Sequence, residues 1–264
     1  MDCVTTLLRQ PPFTWWRHEP RSCALTWSTR RRPGAVGTVG LVITRSSLLL
    51  PAGEFSYLEG GKGDPVVLLH ALGRSAADWT TVIEAISDGW RCLAPDQRGH
   101  GASVRCEEYT FESMTEDLRS FVDTLGLDRF FLVGHSMGGT VGWLFAESTP
   151  KRLRRLVLED TPPPSGRHAY PETPAEPPAP VGYDWEARRQ LVRQLSSPDP
   201  AWWRDLEKVT APTLVIAGSP DEAELSEVAR RLPNCDLITI RAGHWIHESQ
   251  PDAFVKAIRA FFEN

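Results

Sequence analysis

The chain has 264 residues, a formal net charge of −5 and an isoelectric point of about 5.8, with ordinary hydrophobic and charged fractions. This length and composition suit one soluble globular domain with a sizeable core. No run of Lys and Arg follows the body of the chain, and the longest apolar stretch, residues 48–52, is far below the ~20 residues that span a bilayer. We therefore expect neither nucleic acid nor membrane as a partner.

The cysteine pattern argues against disulfides and metal sites. Five cysteines are dispersed along the chain, at Cys3, Cys23, Cys92, Cys106 and Cys235. An odd, scattered set without CxxC pairs or metal-like Cys/His spacing predicts reduced thiols in a cytoplasmic protein. We expect no metal.

The first fifty residues differ in charge from the rest. They hold seven Arg, no Lys and only Asp2 and Glu19 as acids, so their balance is 7 − 2 = +5, against −10 for the remainder. An Arg-rich, acid-poor segment is typical of a transit peptide, of a tail without a core, or of a start codon placed too far upstream. We expect residues 1–45 to be an N-terminal extension, disordered and dispensable for folding.

Regular patterns begin near residue 46. A hairpin is predicted over residues 47–59, and short continuous apolar runs predict buried strands. These runs cover residues 66–70, 92–95, 130–133, 156–158, 213–217 and 236–240. Helical periodicity alternates with them over residues 78–87, 111–125, 141–147, 222–232 and 251–262. The alternation predicts an α/β fold with a mainly parallel central sheet flanked by helices.

One segment interrupts this alternation. Eight prolines in residues 162–180 exclude a helix or a central strand there. Two short helices are predicted next, at residues 184–195 and 199–208, and Asp184 is a suitable N-cap for the first. We expect residues 162–208 to form a small lid between core segments 46–161 and 209–264, or else a surface elaboration.

The strongest chemical signal is a Gly-x-Ser-x-Gly motif, Gly134-His135-Ser136-Met137-Gly138, between an apolar run and a helical pattern. A serine on such a strand-to-helix turn is strained and exposed to a reacting group. Glycines are needed where the chain passes too close for a Cβ. We predict that Ser136 is a nucleophile and that the Met137 amide is one oxyanion donor. The alternative is a glycine-rich turn with an idle serine.

The serine needs a base, and His244 is the candidate. His244 follows the last predicted strand, so it belongs to a loop at the same sheet edge as Ser136. The rival is His247, which we interpret as packing of the first helical turn. His135 is interpreted as scaffolding of the turn.

The base needs an orienting carboxylate between residues 136 and 244 in chain order. Asp221 is predicted, because Gly218 and the next two residues give a turn long enough to carry it from the strand end toward His244. Asp160 is the alternative. It runs directly into a proline-rich stretch, where a turn-capping role is natural.

The second oxyanion donor is expected from the loop after residues 66–69, and the Leu72 amide is the candidate. His70 is expected to hold this loop by hydrogen bonding. The loop 96–103 lacks the Lys and the glycine spacing of a phosphate loop. It is therefore interpreted as a structural turn in which Asp96 and Arg98 pair with each other.

Together these segments, from residue 46 to the end, resemble the α/β-hydrolase superfamily. The matching motifs are residues 134–139, residues 96–103, Gly218 with Asp221, and Gly243 with His244. The resemblance implies the fold, the triad and the oxyanion loop. It is greatest for the small bacterial esterases, enol-lactonases, cofactor-free haloperoxidases and carbon–carbon bond hydrolases.

Two features differ from the usual pattern of this superfamily, and a third excludes part of it. Ala71 stands where the oxyanion loop usually has Gly, and the stretch after Asp221 is short. Ser136 argues against the epoxide hydrolases and haloalkane dehalogenases, which use an Asp nucleophile.

The function predicted from the sequence is a serine hydrolase acting on an ester, lactone or thioester of a small or medium substrate. An acyl-enzyme forms on Ser136 and water releases it, with no cofactor. Two alternatives remain open. One keeps the triad for perhydrolase or carbon–carbon bond cleavage, and the second is a ligand-binding protein on a hydrolase scaffold.

Overall fold

The computed structural model describes residues 42–161, 163–167, 170–220 and 223–264. These residues belong to one compact unit, Gly40–Asn264. Its eight strands form a single sheet in the order β1-β2-β4-β3-β5-β6-β7-β8. The strands are β1 (Thr44–Leu50), β2 (Gly53–Gly60), β3 (Asp64–Leu69), β4 (Trp90–Pro95), β5 (Phe130–His135), β6 (Leu153–Glu159), β7 (Thr213–Ala217) and β8 (Cys235–Thr239). The pairs β1–β2 and β2–β4 are antiparallel and all other pairs are parallel, which confirms the predicted α/β class.

The described residues contain eight α-helices, of which the last two follow β8. They are α1 (Thr80–Ile86), α2 (Phe111–Thr124), α3 (Met137–Ser148), α4 (Trp185–Ser196), α5 (Pro200–Asp205), α6 (Ala223–Arg231), α7 (Ile246–Ser249) and α8 (Pro251–Glu263). The predicted N-cap of α4 is confirmed, because the Asp184 side chain accepts a hydrogen bond from the Glu186 amide at 3.1 Å. In the described residues no helix is both long and apolar enough to cross a membrane.

The core explains why the central strands are apolar along their whole length. Residues 66–69 of β3 are at most 1% exposed, because helices cover both faces of the sheet. On one face α8 buries Phe254 and Ile258 against this sheet, in the same cluster as Trp79. Continuous apolar runs are therefore what this architecture requires, and they made the strands predictable.

The folded unit begins earlier than residue 46. Strand β1 starts at Thr44, and the Arg45 guanidinium binds the buried Asp96 carboxylate at 2.8 Å and the Ser56 hydroxyl at 2.6 Å. Residues 1–41 of the predicted extension lie outside the described residues. A truncation that tests the extension should therefore retain Arg45.

The expected pairing of Asp96 with Arg98 is wrong. Asp96 accepts hydrogen bonds from Arg45 and from the Ala76 amide, whereas Arg98 binds Asp117 of α2, with Nη2 to Oδ1 at 2.7 Å. The two side chains leave the loop toward different elements. Each finds a charged partner there, which a buried charge requires.

Candidate active site

The candidate residues meet at the edge of the sheet where the parallel strands end. Ser136 follows β5, Asp160 follows β6, and His244 lies between β8 and α7. Strands β5 and β6 are direct neighbours, and the Ser136 amide donates to the Glu159 carbonyl at 3.0 Å. The carboxyl end of a parallel sheet is where α/β proteins place their ligand sites.

The backbone at Ser136 has the strain expected of a nucleophile elbow, the strand–turn–helix of residues 134–138. Its φ is 51° and its ψ is −113°. A Cβ on Gly134 would lie 2.4 Å from the Gly138 carbonyl oxygen, and one on Gly138 would lie 2.3 Å from that of Leu69. Both glycines are therefore required by close backbone approach. Strain held by such tight packing is typical of functional sites.

Helix α3 begins at Met137, directly after the elbow. Its first hydrogen bond joins the Thr140 amide to the Ser136 carbonyl at 3.1 Å. The Met137 amide thus belongs to the first turn, whose N–H groups have no acceptor inside a helix. The helix dipole also favours negative charge at this end. The predicted donor therefore lies at the helix end that suits an oxyanion.

His244 has an aspartate partner, and it is Asp160. His244 Nδ1 lies 2.7 Å from Asp160 Oδ2, and the two side chains are 9% and 1% exposed. Asp160 Oδ1 accepts from the Gly218 amide at 3.1 Å. A carboxylate on Nδ1 fixes the tautomer that leaves Nε2 able to take a proton. The alternative acid from the sequence thus contacts the predicted base, while Asp221 lies outside the described residues and stays a prediction.

Asp160 reaches His244 through an unusual backbone conformation. In the described part of the chain, Ser136 and Asp160 are the two non-glycine residues with positive φ, and the Asp160 value is 43°. The turn at Asp160 comes directly after β6, at the strand end beside Ser136. The sequence signal that could have favoured Asp160 as the acid was its place at the end of β6, the strand next to β5.

The two further histidines near the elbow have supporting positions. His135 Nε2 donates to the His244 carbonyl at 2.8 Å, and burial lowers the pKa of His135 well below its ordinary value. His247 is buried and stacks on Trp79, with ring centroids 4.3 Å apart. Both placements agree with the expected scaffolding and packing.

The loop after β3 is held as expected by His70. His70 Nδ1 donates to the Ala71 carbonyl at 2.8 Å, Nε2 accepts from the Gln97 amide at 3.0 Å, and the Gln97 side chain donates to the His70 carbonyl at 2.7 Å. Burial lowers the pKa of His70, so the ring is neutral and both contacts fit one tautomer. His70 is therefore a structural residue of this loop.

The same loop leaves Leu72 as its candidate oxyanion donor. The Gly73 amide donates to His100 Nε2 at 3.1 Å, and the Arg74 amide donates to the Ala71 carbonyl at 3.2 Å. These two amides are occupied and cannot serve an oxyanion. The assignment of the Leu72 amide stays a prediction.

Tyr183 and Asp184, in the segment predicted to be a lid, are joined to this loop through His100 and Gly99. The Tyr183 ring stacks on the His100 ring at 5.4 Å and 6°, and the Asp184 amide donates to the Gly99 carbonyl at 2.7 Å. Burial lowers the pKa of His100 to about 3, so it stays a neutral acceptor for the Gly73 amide. Residues 183–184, the loop after β4 and the loop after β3 are therefore connected to one another.

Sequence reasoning missed Arg74, which connects the oxyanion loop to the His244 loop. Its guanidinium binds Asp78 at 2.6 Å, also pairs with Glu248, and lies 4.8 Å from the Trp245 ring centroid. Glu248 is 174 residues away in the chain. No local pattern could indicate that contact.

Comparison with known proteins identifies hydrolases as relatives of this chain. The family model described as alpha/beta hydrolase fold matches residues 64–179. Epoxide hydrolase 3 of Xenopus tropicalis is 32% identical over 169 residues, which are 62% of this chain but 44% of that protein. The sn-1-specific diacylglycerol lipase ABHD11 of Danio rerio is 28% identical over 254 residues, covering 77% of this chain and 80% of that one. The 2-hydroxy-6-oxo-2,4-heptadienoate hydrolase of Pseudomonas putida is 41% identical over 110 residues, 40% of each chain.

Solved structures show the same fold. A thermophilic esterase from Thermogutta terrifontis has a TM-score of 0.72 at 25% identity, covering 83% of this chain and 98% of that one. The enol-lactonase from Burkholderia xenovorans LB400 also has a TM-score of 0.72, at 24% identity, covering 83% of this chain and 100% of that one. The chain therefore has the α/β-hydrolase fold, and its hydrolase relatives indicate a hydrolase enzyme.

Proposed function

We propose that the chain is a serine hydrolase that cleaves an ester, lactone or thioester of a small or medium substrate. The observation that carries this proposal is the 2.7 Å contact between His244 Nδ1 and Asp160 Oδ2, next to a serine on a strained elbow. A buried His–Asp pair beside a serine is the arrangement that activates a hydroxyl as nucleophile. The triad we propose is Ser136, His244 and Asp160.

The reaction follows from these positions. His244 Nε2 takes the Ser136 proton while Oγ bonds to the carbonyl carbon, and the Met137 and Leu72 amides stabilise the oxyanion. Asp160 stabilises the imidazolium. When the tetrahedral intermediate collapses, the bond to the leaving oxygen or sulfur breaks and that atom takes the proton from His244. Water then attacks the acyl-enzyme by the same steps, which releases the acid and frees Ser136.

The likeness to an epoxide hydrolase does not extend to the nucleophile. Epoxide hydrolases of this superfamily use an aspartate at the elbow, whereas this chain has Ser136. A serine hydroxyl attacks a carbonyl carbon once a base removes its proton. The product of this attack is an ester on the serine, which water can hydrolyse. Acyl transfer is therefore the chemistry that this site supports best.

A second candidate is hydrolysis of a carbon–carbon bond. The local identity of 41% to the heptadienoate hydrolase favours it over perhydrolysis and over ligand binding without catalysis. The same serine, histidine and aspartate would serve, but the leaving group would be a carbanion, which takes a proton, in place of an alkoxide or thiolate.

A substrate panel tests the proposal and separates these two candidates. Purified protein should hydrolyse at least one p-nitrophenyl ester between acetate and octanoate, and the panel adds lactones, acyl thioesters and a vinylogous 1,5-diketone. We expect an initial burst of p-nitrophenol when deacylation is slower than acylation. Turnover of the diketone alone would favour the second candidate, and turnover of none would contradict serine hydrolysis.

A further inference from the structure

Two adjacent acidic residues at the end of β6 each hold one histidine of the segment that follows β8. Asp160 Oδ2 lies 2.7 Å from His244 Nδ1. Glu159, one residue earlier, has its two carboxylate oxygens 2.9 and 2.8 Å from His247 Nδ1. The hydrolysis proposed above uses the first pair only. The second pair has the same chemistry and no role in it.

The Glu159–His247 pair is fully packed. Glu159 is 0% exposed and His247 is 2% exposed. Glu159 Oε1 also accepts from the His247 backbone amide at 2.9 Å. Helix α7 begins at Ile246, so this carboxylate holds both the backbone and the side chain of its first turn. The position of the segment just after His244 is thereby set from β6.

His135 holds the same segment from its opposite end. Its Nε2 donates to the His244 carbonyl at 2.8 Å, and its ring lies 4.7 Å from His244 and 5.2 Å from His247. Among the described side chains, His135 Nδ1 and His247 Nε2 are buried nitrogens without a hydrogen-bond partner. No hydrogen bond therefore joins the His135 ring to the His247 ring. Glu159, His247 and His135 thus do not form a proton relay. The contacts of Glu159 and His247 can instead act on His244 by fixing the position of its segment.

We propose that Glu159 and His247 are positioning residues for His244. They fix the first turn of α7, which keeps the His244 imidazole at hydrogen-bond distance from Asp160. This proposal rests on the proposed serine hydrolysis, in which His244 is the base. Small misplacements of a catalytic group are costly, because rate depends steeply on the geometry of the reacting groups.

Two substitutions at one position test the proposal. His247→Leu removes the Nδ1 proton donor, so we expect kcat to fall by about 10²-fold, the size of effect that a 1 Å misplacement can have. KM should stay within about threefold, because substrate contacts are unchanged. The acid limb of the pH profile should move to lower pH, since a looser Asp160 contact stabilises the imidazolium less. His247→Asn places an amide N–H near the Nδ1 position and should restore kcat to within about tenfold of wild type.

The matched control is Ile258→Ala in α8. Ile258 is fully buried and lies outside the site, so this variant loses core packing without touching the pair. It should lower the melting temperature and leave kcat and the pH profile unchanged. If His247→Leu fails to fold, Glu159→Gln replaces it, because Gln keeps one acceptor oxygen but lacks the charge. It should shift kcat and the acid limb in the same directions.

A second readout does not depend on turnover. The low-field proton resonance of His244 Nδ1–H should be present in wild type and in His247→Asn, and shifted or lost in His247→Leu. If wild type hydrolyses nothing, the hydrolase proposal fails and this resonance still decides the positioning role. If wild type is active and His247→Leu changes neither kcat, pH profile nor resonance, positioning is overturned. Positioning is also overturned if EDTA lowers the kcat of wild type as His247→Leu does. A cation would then lie between the side chains of His135, Glu159 and His247, whose ligand atoms are within 4.8 Å of one another.

Discussion

Ser136→Ala is expected to abolish ester turnover, with a loss approaching the ~10⁶-fold measured for a triad nucleophile in another enzyme. The substitution removes the attacking oxygen and leaves the oxyanion donors and the substrate contacts in place. The melting curve should hardly change, because alanine and serine share the Cβ that the strained φ of 51° must accommodate. Steady-state turnover of the best ester in the panel, measured beside thermal denaturation, gives both values.

Ser148→Ala is the matched control for that variant. Ser148 is the exposed last residue of α3, the helix that follows Ser136. The control variant therefore also replaces a serine by alanine, but at the helix end away from the sheet edge. Its turnover should equal that of wild type. Undiminished turnover in Ser136→Ala would rule out the serine mechanism.

Asp160→Asn is expected to lower turnover by ~10²–10⁴-fold, as substitution of a triad acid does elsewhere. Asparagine keeps the shape of the side chain, and its oxygen can still accept from the Gly218 amide, as Asp160 Oδ1 does. It cannot provide the negative charge that stabilises the His244 cation. Because the fold should persist, the loss should appear in kcat and not in the melting temperature.

The same assay on Asp221→Asn decides between the two candidate acids. From the sequence alone, Asp221→Asn should be the damaging change, and Asp160→Asn should cost less than about tenfold. The Asp160–His244 contact reverses that expectation for Asp160. If Asp160→Asn keeps turnover within tenfold while Asp221→Asn loses it, the acid is Asp221 and the proposed triad is wrong.

The fold and the elbow could be read from the sequence because their causes are local. A strand buried on both faces needs a continuous apolar run, and β3, β5 and β7 each have one. The elbow needs Gly134, whose missing side chain allows the Gly138 backbone, four residues on, to approach closely, and Gly138, which packs against the Leu69 backbone. Such requirements leave a pattern within a few neighbouring residues.

The contacts that complete the site have no local pattern. Asp160 and His244 are 84 residues apart, and Glu159 and His247 are 88 residues apart. Chain order restricts the acid to residues between 136 and 244, but it does not show that Asp160, with a φ of 43°, contacts His244. The wrong pairing of Asp96 with Arg98 has the same origin, since their real partners are distant in the chain.

The most direct test of the proposed nucleophile is mass spectrometry of the protein after reaction with an alkyl fluorophosphonate. The reagent phosphorus bonds to an activated serine oxygen and fluoride leaves, so the adduct identifies the nucleophile without knowledge of the substrate. We predict one phosphonyl group per chain, located on the peptide that contains Ser136 and absent from Ser136→Ala. A protein that hydrolyses esters but acquires no adduct, or acquires it at another residue, would contradict Ser136 as the nucleophile.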